Sequence, residues 1–356
     1  MAPPPVTKTG IVQIAARLGV SASMVSRALR PETSHLVRAD RRKQILDLAE
    51  RLGFSPNPGA RMLRRGVNAQ LTVVVPRDEA LFFSEFYGRF LSGALHGASA
   101  RGWGVQICTL KREPGRGFRE AIQQLGLESS GIIYLAETLT QEDVAELSGY
   151  SRPLVLMKAV LPIGVAPADL DVPVVGVDNI SGASVAAELL VQLGHRRIGL
   201  LLGPARARDA AERRQGYLTT LAATGIRPRP EWVREGDFSV EAGRNAMRQL
   251  LRLRERPTAL CCANDQIAFG AIDAVHDAGL RCPEDISIIG FDDSIWARAC
   301  RPPLTTVQQP LAEMAERSVS LIIELAASAG RKRHPLFEEL AAPLKLRSST
   351  RPVPAG

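Results

Sequence analysis

Polar, charged and aromatic side chains follow the ends of apolar runs along the chain, where they could bind a small molecule together. The set comprises Phe82, Phe83, Lys158, Asp178, Asn179, Arg213, Phe238, Asn264, Asp265, Asp292 and Asp293. Aromatic faces and fixed hydrogen-bond donors and acceptors suit a polyol or another small polar ligand. Asp292 or Asn264 alone is more typical of a helix N-cap or a turn than of a ligand contact. Their succession at strand ends favours binding for the set as a whole.

The sequence contains little evidence of a catalytic or metal-binding site. The chain contains no G-x-S-x-G elbow, P-loop, G-x-G-x-x-G loop or H-E-x-x-H motif. The adjacent pair Asp292 and Asp293 is weak evidence for acid–base catalysis. The five cysteines and five histidines show no metal-ligand spacing, and Cys261 lies next to Cys262 in an apolar run. We therefore predict free thiols in a reducing compartment, no catalytic residues, no metal and no cofactor.

Apolar runs of strand length alternate with helical segments from residue 71 onwards. The runs are Leu71–Val75, Val105–Leu110, Gly131–Ala136, Pro153–Met157, Pro173–Val177, Arg197–Gly203, Thr258–Ala263 and Ile286–Phe291. Amphipathic helices are predicted over Ala183–Leu193, Ala210–Ala223, Val240–Leu253 and Gln266–Ala278. Continuous apolar strands separated by helices indicate parallel sheets that are covered on both faces. Ligands of such sheets lie beyond the carboxyl ends of the strands.

The first 66 residues carry the whole positive surplus of the chain. They contain twelve Lys and Arg residues against four Asp and Glu residues, and the complete chain has a net charge of +8. The remaining 290 residues are therefore neutral overall. A basic head on a neutral body suggests that the head binds a polyanion. An unspecialised basic surface is the alternative interpretation.

Three apolar stripes in the head predict three short helices around a small core. The stripes are Ile11, Ile14, Ala15 and Leu18, then Val25, Ala28 and Leu29, then Ile45, Leu48, Ala49 and Leu52. Gly19 ends the first helix, and Ser21 is a suitable N-cap for the second. Two short helices joined by a tight turn that contains glycine form a helix-turn-helix.

The polar face of the second predicted helix carries Ala22, Ser23, Ser26 and Arg27. In a helix-turn-helix the N-terminal part of this helix enters the major groove. Arg27 could then bind a guanine edge through two hydrogen bonds, and Ser26 could bind a phosphate. A solvated charge is the ordinary role of a single helical Arg27, but the three-helix framework around it favours DNA contact.

A short basic segment follows the head. Asn57 is a suitable N-cap, and Pro58 fits the first helical position. Leu63 lies next to Arg64 and near Arg61, as expected of an apolar wedge for the minor groove with phosphate contacts on either side. A basic linker without regular structure is the alternative for the free protein, because so short a helix does not persist alone.

The stretches IAARLGVSASMVSRAL and AERLGFSPNPGARMLRRG resemble the headpiece and hinge helix of the lactose-repressor family, LacI/GalR. The resemblance places Ala22, Ser23 and Arg27 where the family reads bases. It places Leu63 where the family inserts a leucine, within a hinge motif that also includes Asn57 and Ala60. Gln13 and Met24 depart from the Asp and Thr that are usual in the family. Neither departure removes a base-reading residue.

The body resembles the same family in the stretches VDNISGASVAAELLVQLGHRRIGLLLG, RRQGY, TALCCANDQIAFGA, ISIIGFDD and RPPLTTVQQP. The resemblance covers about residues 8–348 and implies a periplasmic-binding-protein-like effector domain of two parallel-sheet lobes joined by three crossovers. The implied domains are an all-α helix-turn-helix head at 8–55, a hinge helix and linker at 56–69, an effector-binding and dimerisation domain at 70–348, and a flexible tail at 349–356. The first lobe is expected at 70–162 and 308–331, and the second at 163–307 and 332–348.

The family's effector clamp carries over to Arg213, Asn264 and Asp292 by motif. The resemblance also places Phe238 where the family stacks an aromatic ring on its ligand, and Phe82 and Phe83 in the contact segment of the first lobe. Lys158 departs from the family, because many sugar-binding members have Asp there. Lys158 and Arg213 could together bind a carboxylate or phosphate. Alternatively, Lys158 points to solvent.

These features predict a transcriptional regulator, with repression the expected mode. It should bind double-stranded operator DNA as a homodimer, because one head covers half of a near-palindromic site. Its effector should be a sugar, sugar acid or phosphorylated sugar. No membrane association is expected, and the N-terminus MAPPPVTKTG lacks a secretory apolar core, so we expect a cytoplasmic protein. The alternative is an exported solute-binding protein of the same two-lobed fold, and an enzyme on that scaffold is a third, weaker possibility.

Overall fold

The computed structural model describes residues 10–29, 31–52, 54, 69–76, 85–110, 117–125, 128–135, 139–158, 161–162, 164–205, 207–328 and 337–353. The chain divides into two compact units, residues 1–68 and 69–356. The first unit corresponds to the basic head and the second to the neutral body.

The three helices of the head form where the apolar stripes predict them. They are α1 (Ile11–Leu18), α2 (Ala22–Ala28) and α3 (Ala39–Arg51). Ile14, Val25 and Ile45, one from each stripe, are fully buried against one another. The chain turns between α1 and α2 at Gly19, whose φ of 61° is a left-handed conformation that glycine adopts without steric cost. The predicted helix-turn-helix is therefore confirmed.

The body contains two six-stranded sheets. The strands are β1 (Gln70–Pro76), β2 (Gly104–Leu110), β3 (Gly131–Leu135), β4 (Leu154–Met157), β5 (Val174–Val177), β6 (Ile198–Leu202), β7 (Val233–Glu235), β8 (Ala259–Cys262), β9 (Ser287–Asp292), β10 (Thr305–Gln308), β11 (Phe337–Leu340) and β12 (Leu344–Lys345). Their order is β11-β5-β4-β3-β1-β2 in the first sheet and β12-β10-β9-β8-β6-β7 in the second. Every pairing is parallel except that of β10 with the edge strand β12. All eight predicted strands are present.

Helices cover the sheets, as the continuous apolar strands predict. They are α4 (Glu85–Ser99), α5 (Phe118–Gln124), α6 (Gln141–Leu147), α7 (Asn179–Gln192), α8 (Arg208–Ala223), α9 (Val240–Leu251), α10 (Asp265–Asp277), α11 (Ile295–Ala299) and α12 (Leu311–Ala327). The central strands are buried along their whole length, whereas the edge strand β2 is largely exposed. The carboxyl ends of the buried strands in both sheets carry most of the residues that the sequence singles out as ligand contacts.

The lobe boundaries differ from those expected. The chain crosses between the sheets three times, after β5, after β10 and after β11. The assignment of 163–177 to the second lobe is wrong, because β5 pairs with both β4 and β11 in the first sheet. The assignment of residues 337–340 to the second lobe is wrong for the same reason, since β11 is an edge strand of the first sheet. Short apolar strands fit either sheet by pattern, and only the pairing decides between them.

The predicted flexible tail is also wrong for the described residues 349–353. Ser349 is fully buried, and its hydroxyl donates a hydrogen bond of 2.6 Å to the carbonyl of Ile288 on β9. His195 approaches the carbonyl of Arg351 with its Nε2 at 3.1 Å and the hydroxyl of Thr258 with its Nδ1 at 2.9 Å. This segment lies along the second lobe because buried polar groups of that lobe use it as a partner. Among the helices that the structure describes, no stretch has the length and apolar content needed to span a bilayer.

Close helix packing in the second lobe requires glycine at position 270. A Cβ atom there would lie 1.8 Å from the carbonyl oxygen of Val240 on α9. Gly270→Ala should therefore lower the free energy of unfolding by about 1–3 kcal/mol, because α9 and α10 must move apart. Urea denaturation measures this change.

Gly88→Ala is the matched control, since a Cβ at this position of α4 meets nothing within 4 Å. It should leave stability unchanged or raise it by up to about 1 kcal/mol, as expected for a helical alanine. Equal midpoints for the two variants would show that the α9–α10 contact is not as close as described.

Candidate functional site

The head presents one surface of α2 to solvent. The hydroxyl of Ser21 accepts a hydrogen bond of 3.1 Å from the backbone N–H of Met24, which fixes the start of the helix. Ala22, Ser23 and Arg27 are exposed, and Ser26 is half-buried. Ala22 and Ser26 are four residues apart, as are Ser23 and Arg27, so the four residues lie on one side of the helix. The structure thus brings together the four residues predicted to contact DNA on α2.

Five other predicted site residues lie outside the described residues. They are Asn57, Ala60 and Leu63 of the hinge segment and Phe82 and Phe83 after β1. Their predicted roles stand on the sequence alone.

Arg213 lies at the centre of the predicted effector clamp. It is on α8, and only 2% of its side chain is exposed. Its Nε donates a hydrogen bond of 2.9 Å to Asn179 Oδ1, and its Nη1 donates one of 2.6 Å to the carbonyl of Ala263. The guanidinium stacks on the ring of Phe291, with 3.8 Å between its carbon and the ring centroid. A planar cation held in this way is fixed before any ligand arrives.

Lys158 does not point to solvent, so that interpretation is wrong. It follows β4 with a φ of 53°, and 9% of its side chain is exposed. Its Nζ lies 2.5 Å from Asp209 Oδ2 and donates a hydrogen bond of 2.8 Å to Gln309 Oε1. The ring centroid of Phe86 lies 4.9 Å from the same nitrogen. Lys158 therefore joins the first lobe to α8 of the second.

Asp292 ends β9 near these cations. Its Oδ1 lies 3.9 Å from Arg213 Nη1 and accepts a hydrogen bond from the side-chain amide of Gln309. Both Asp292 and Asp293 have positive φ angles, 138° and 53°. A non-glycine residue in this region is strained and persists only when its surroundings hold it. Gln309 thus bridges Lys158 of the first lobe and Asp292 of the second.

Asn264 and Phe238 are fixed by each other and by α10. The side-chain oxygen of Asn264 accepts the N–H of Ile267 at 2.9 Å, so the residue is the N-cap of α10, as its pattern suggested. Its amide nitrogen donates a hydrogen bond of 3.0 Å to the carbonyl of Phe238. Phe238 is half-buried, and its ring lies over Gly203, where a Cβ would come within 2.4 Å of it. The Cε1 and Cζ atoms of the ring therefore lie close to the backbone of Gly203.

The sequence reasoning missed Asp209 and Gln309. Asp209 precedes Arg213 by one helical turn, and its Oδ2 lies 3.6 Å from Arg213 Nη2. The available signal was an acid four residues before an arginine, although the helix predicted over Ala210–Ala223 began one residue after that acid. Gln309 is nearly buried and offered no such signal, because its partners come from distant parts of the chain.

Burial and neighbouring charge act in opposite directions on the carboxylates of this site. Burial favours the neutral form of Asp209, but the charges of Lys158 and Arg213 outweigh it and hold the pKa of Asp209 below its ordinary value. Burial dominates at Asp292, and its pKa is raised despite the nearby Arg213. Burial and the charge of Asp292 raise the pKa of Asp265 to about 7.

The described residues contain no group of three or more His, Cys, Asp or Glu side chains placed to hold a metal ion. A depression of about 280 Å³ opens beside Lys158 and Asp209, towards Glu339 of β11. Arg213, Phe238, Asn264 and Asp292 do not line it. Lys158 and Asn179 line this depression and also contact the residues around Arg213.

Comparisons with known proteins agree on one family. Residues 187–350 match the periplasmic binding protein-like domain family. The transcriptional repressor CytR of Escherichia coli K12 is 32% identical over 319 residues, which are 89% of this chain and 90% of the relative. The repressor PurR of Mannheimia succiniciproducens is 30% identical over 348 residues, which are 96% of this chain and 99% of the relative.

Solved structures give the same result. The Lac repressor dimer bound to operator and the anti-inducer ONPF superposes with a TM-score of 0.77 and 26% identity, over 97% of this chain and all of that one. The complex of the transcriptional regulator CelR with cellobiose superposes with a TM-score of 0.69 and 28% identity, over 96% and 99% of the two chains. The chain therefore belongs to the LacI family of transcriptional repressors. Members of this family are not enzymes, so the enzyme that the sequence left as a weaker possibility is excluded.

The raised pKa of Asp265 predicts a pH dependence of stability. The unfolded chain loses this proton near pH 4, whereas the folded protein keeps it to about pH 7. Unfolding between these values releases a proton, so the free energy of unfolding should fall as the pH rises from 4 to 7 and then level off. Asp265→Asn should lack this contribution.

Urea denaturation of both proteins at several pH values tests the expectation. The difference between variant and wild type should grow in favour of the variant between pH 4 and 7, since the substitution removes the titration of Asp265. Parallel curves would show that Asp265 has an ordinary pKa. The comparison uses slopes, so a constant loss from the altered hydrogen bonds with Thr306 and Ser294 does not affect it.

Proposed function

We propose that this chain is a sequence-specific repressor that binds a near-palindromic operator as a homodimer, with operator affinity set by a small effector between the two lobes. The observation that carries the proposal is the exposed face of α2, in a chain whose body also holds a fixed cluster of donors and acceptors at the carboxyl ends of its strands. The family membership disfavours the predicted alternative of an exported solute-binding protein.

The head supplies the DNA contacts in this proposal. Ala22, Ser23 and Arg27 meet base edges in the major groove, and Ser26 meets a phosphate. The helix-turn-helix domain comprises residues 8–55, and the hinge comprises 56–69. In the hinge, Asn57 begins a helix, Ala60 lies on it, and Leu63 inserts into the minor groove.

The homodimer follows from the size of the head. One α2 reads half of an operator, and two-fold symmetry in the protein matches a near-palindrome in the DNA. The Lac repressor that this chain resembles was solved as a dimer on its operator. We place the dimer contacts in the body, from residue 70 onwards.

The effector is held by side chains at the strand ends of both lobes. Arg213, Asn264 and Asp292 supply the polar contacts of the second lobe, and Phe238 supplies a stacking face. Phe82 and Phe83 contribute from the first lobe. The relative CelR was solved with cellobiose, and aromatic faces with fixed polar groups suit such a neutral polyol.

The charge balance of the site favours a neutral sugar over a sugar acid or a phosphorylated sugar. Lys158 is paired with Asp209 at 2.5 Å, and Arg213 has Asp209 and Asp292 within 4 Å. An anionic effector would have to compete with these carboxylates for both cations. Lys158 then acts at the edge of the effector site as a bridge between lobes, and any ligand contact it makes is secondary.

The effector alters operator affinity only if it favours one arrangement of the lobes over the other. The contacts of Lys158 with Asp209 and Gln309 link the two lobes directly beside the clamp. A ligand bound there would therefore strengthen or weaken the contacts that fix the relative position of the lobes. The coupling between effector and operator should be reciprocal and about 1–3 kcal/mol.

Arg27→Ala tests the DNA-binding part of the proposal. Repeated selection of random duplexes by the wild-type protein should yield a near-palindromic site. Sedimentation should show that one such site binds two copies of the chain. Its affinity should fall steeply with salt, because the basic head releases counterions. The variant should lose about 1–3 kcal/mol on this site and relax one base preference per half-site.

Arg51→Ala is the matched control on α3, where the guanidinium donates a hydrogen bond of 3.2 Å to the carbonyl of Asp47 in its own helix. It should retain the base preference of the wild type. Selection without a consensus would refute sequence-specific binding. An equal loss by Arg27→Ala on selected and random DNA would reduce Arg27 to a phosphate contact.

Calorimetry with matched sugar pairs tests the effector and the role of Lys158. The pairs are cellobiose and cellobionate, glucose and glucuronate, and ribose and ribose 5-phosphate. The wild type should prefer the neutral member of the pair that it binds. Lys158→Gln should weaken both members by similar factors, because it removes a bridge and not an anion contact.

Arg214→Gln is the control. Arg214 lies on the same helix as Arg213 and makes an exposed ion pair with Glu235, so its substitution should change the affinity for neither member of the pair. A selective loss of the acidic member by roughly tenfold or more in Lys158→Gln would instead establish an anion contact. Absence of binding to every sugar would refute the sugar-like effector while leaving the operator proposal intact.

A further inference from the structure

Arg89 of the first lobe holds three backbone carbonyls of the second lobe and of the crossover between them. The residue is on α4, and 27% of its side chain is exposed. Its Nη1 donates hydrogen bonds of 3.1 Å to the carbonyls of Asp292 and Asp293. Its Nη2 donates one of 3.2 Å to the carbonyl of Gln309. One planar guanidinium thus fixes the backbone of both residues that shape the acidic side of the clamp.

The backbone that Arg89 holds is strained. Asp292 and Asp293 have successive positive φ angles of 138° and 53°. Such conformations cost on the order of 1–3 kcal/mol each and persist only where several contacts enforce them. Within the second lobe, Arg347 pairs with the carboxylate of Asp293, whose backbone N–H lies 3.4 Å from Thr306 Oγ1. Arg89 adds the restraint that comes from the first lobe.

Glu85, one turn before Arg89, makes the second contact. Both of its carboxylate oxygens lie 2.8 Å from the backbone nitrogen of Ile295, the first residue of α11. Ser294, the N-cap of that helix, makes no side-chain capping hydrogen bond. A carboxylate from the opposite lobe therefore satisfies the start of α11, where the helix dipole favours negative charge. Glu85 and Arg89 are themselves 3.9 Å apart.

These contacts lie apart along the chain from the bridges made by Lys158. Lys158 meets Asp209, and Arg208 lies 3.7 Å from Glu339 of β11. The ion pairs of Lys158 and Arg208 join the first lobe to α8, whereas Glu85 and Arg89 join it to the end of β9 and the start of α11. Gln309 is shared by the two sets, because its side chain accepts a hydrogen bond from Lys158 and its carbonyl accepts one from Arg89. Opening the lobes would break the Arg89 contacts and release the strained turn in the same movement.

We propose that Glu85 and Arg89 form an interlobe latch, in which Arg89 is the positioning residue that sets the Asp292–Asp293 turn. With the lobes closed, the latch presents the carboxylate of Asp292 to the effector in its strained geometry. With the lobes open, the turn relaxes and the carboxylate is displaced. The consequence for effector binding rests on the proposed function, whereas the latch itself is a property of the chain without ligand.

Amide hydrogen exchange on the full, ligand-free chain tests the latch. In Arg89→Gln the amides of residues 293–297 should exchange roughly tenfold faster or more, as expected when charged hydrogen bonds are lost. Residues 207–212 at the start of α8 should also exchange faster, because the lobes open as bodies. Small-angle scattering should show a larger radius of gyration, while the buried core of β8 keeps its wild-type exchange. Arg89→Lys should restore part of the protection, since an ammonium reaches fewer of the three carbonyls.

Arg101→Gln is the matched control, because Arg101 follows the same helix and its guanidinium donates a hydrogen bond of 2.9 Å to the carbonyl of Gly97 within that helix. It should change none of these readouts. Glu85→Ala should change these readouts in the same direction as Arg89→Gln, and amide exchange in the double variant should be faster than in either single variant, since both contacts are lost in the same opening event.

Unchanged exchange at residues 293–297 in Arg89→Gln would overturn the proposal. Faster exchange there, with unchanged scattering and an unchanged start of α8, would also overturn it, because the contact would then be local. Neither measurement uses DNA or sugar. A failure of the latch therefore leaves the proposed repressor function standing, and a wild type that binds no operator leaves the latch test valid.

Discussion

The site depends on one buried cation. Arg213 has 2% of its side chain exposed, and a charge so far from water is tolerated only when its hydrogen bonds and its counter-charge are supplied by the protein. Asn179, the carbonyl of Ala263 and the face of Phe291 supply the contacts, while Asp209 and Asp292 supply the negative charge. The carboxyl ends of β5, β8 and β9 must therefore converge around α8. The first crossover between the lobes meets this requirement, because β5 belongs to the first sheet, whereas β8 and β9 belong to the second.

The two carboxylates beside Arg213 extend its influence to the first lobe. Asp209 also pairs with Lys158, and Asp292 accepts a hydrogen bond from Gln309, which in turn accepts one from Lys158. The cluster thus contains cations from both lobes and carboxylates shared between them. A ligand that takes over one of these contacts alters the balance of the others, because the partners lie in a low-dielectric environment where unpaired charge is costly. This gives a physical basis for coupling between ligand and lobe arrangement.

The part of the structure nearest to the clamp is also the most strained. Asp292 and Asp293 adopt positive φ angles in succession, and restraints from both lobes hold them. Strain of this kind stores free energy in one arrangement of the lobes and releases it in another. A rigid scaffold with strained residues beside the proposed effector site is consistent with the proposed coupling of effector binding to the arrangement of the lobes. The head needs no such device, since its core of Ile14, Val25 and Ile45 is formed by short-range contacts.

Local pattern determined much of this protein. Apolar periodicity predicted the three head helices, and continuous apolar runs predicted eight of the twelve described strands of the body. The residue types at single positions predicted the caps Ser21 and Asn264. Resemblance to family motifs predicted Arg213 and Asp292 as site residues, and the structure places Arg213 Nη1 3.9 Å from Asp292 Oδ1. Tertiary structure decided the lobe membership of β5 and β11, the pairing of Lys158 with Asp209, and the reach of Arg89 to the turn at Asp292. These depend on sheet order and on three crossovers, which bring together residues up to about two hundred positions apart. The periodicity of one segment cannot predict these contacts, because their free energy depends on residues in other segments of the chain.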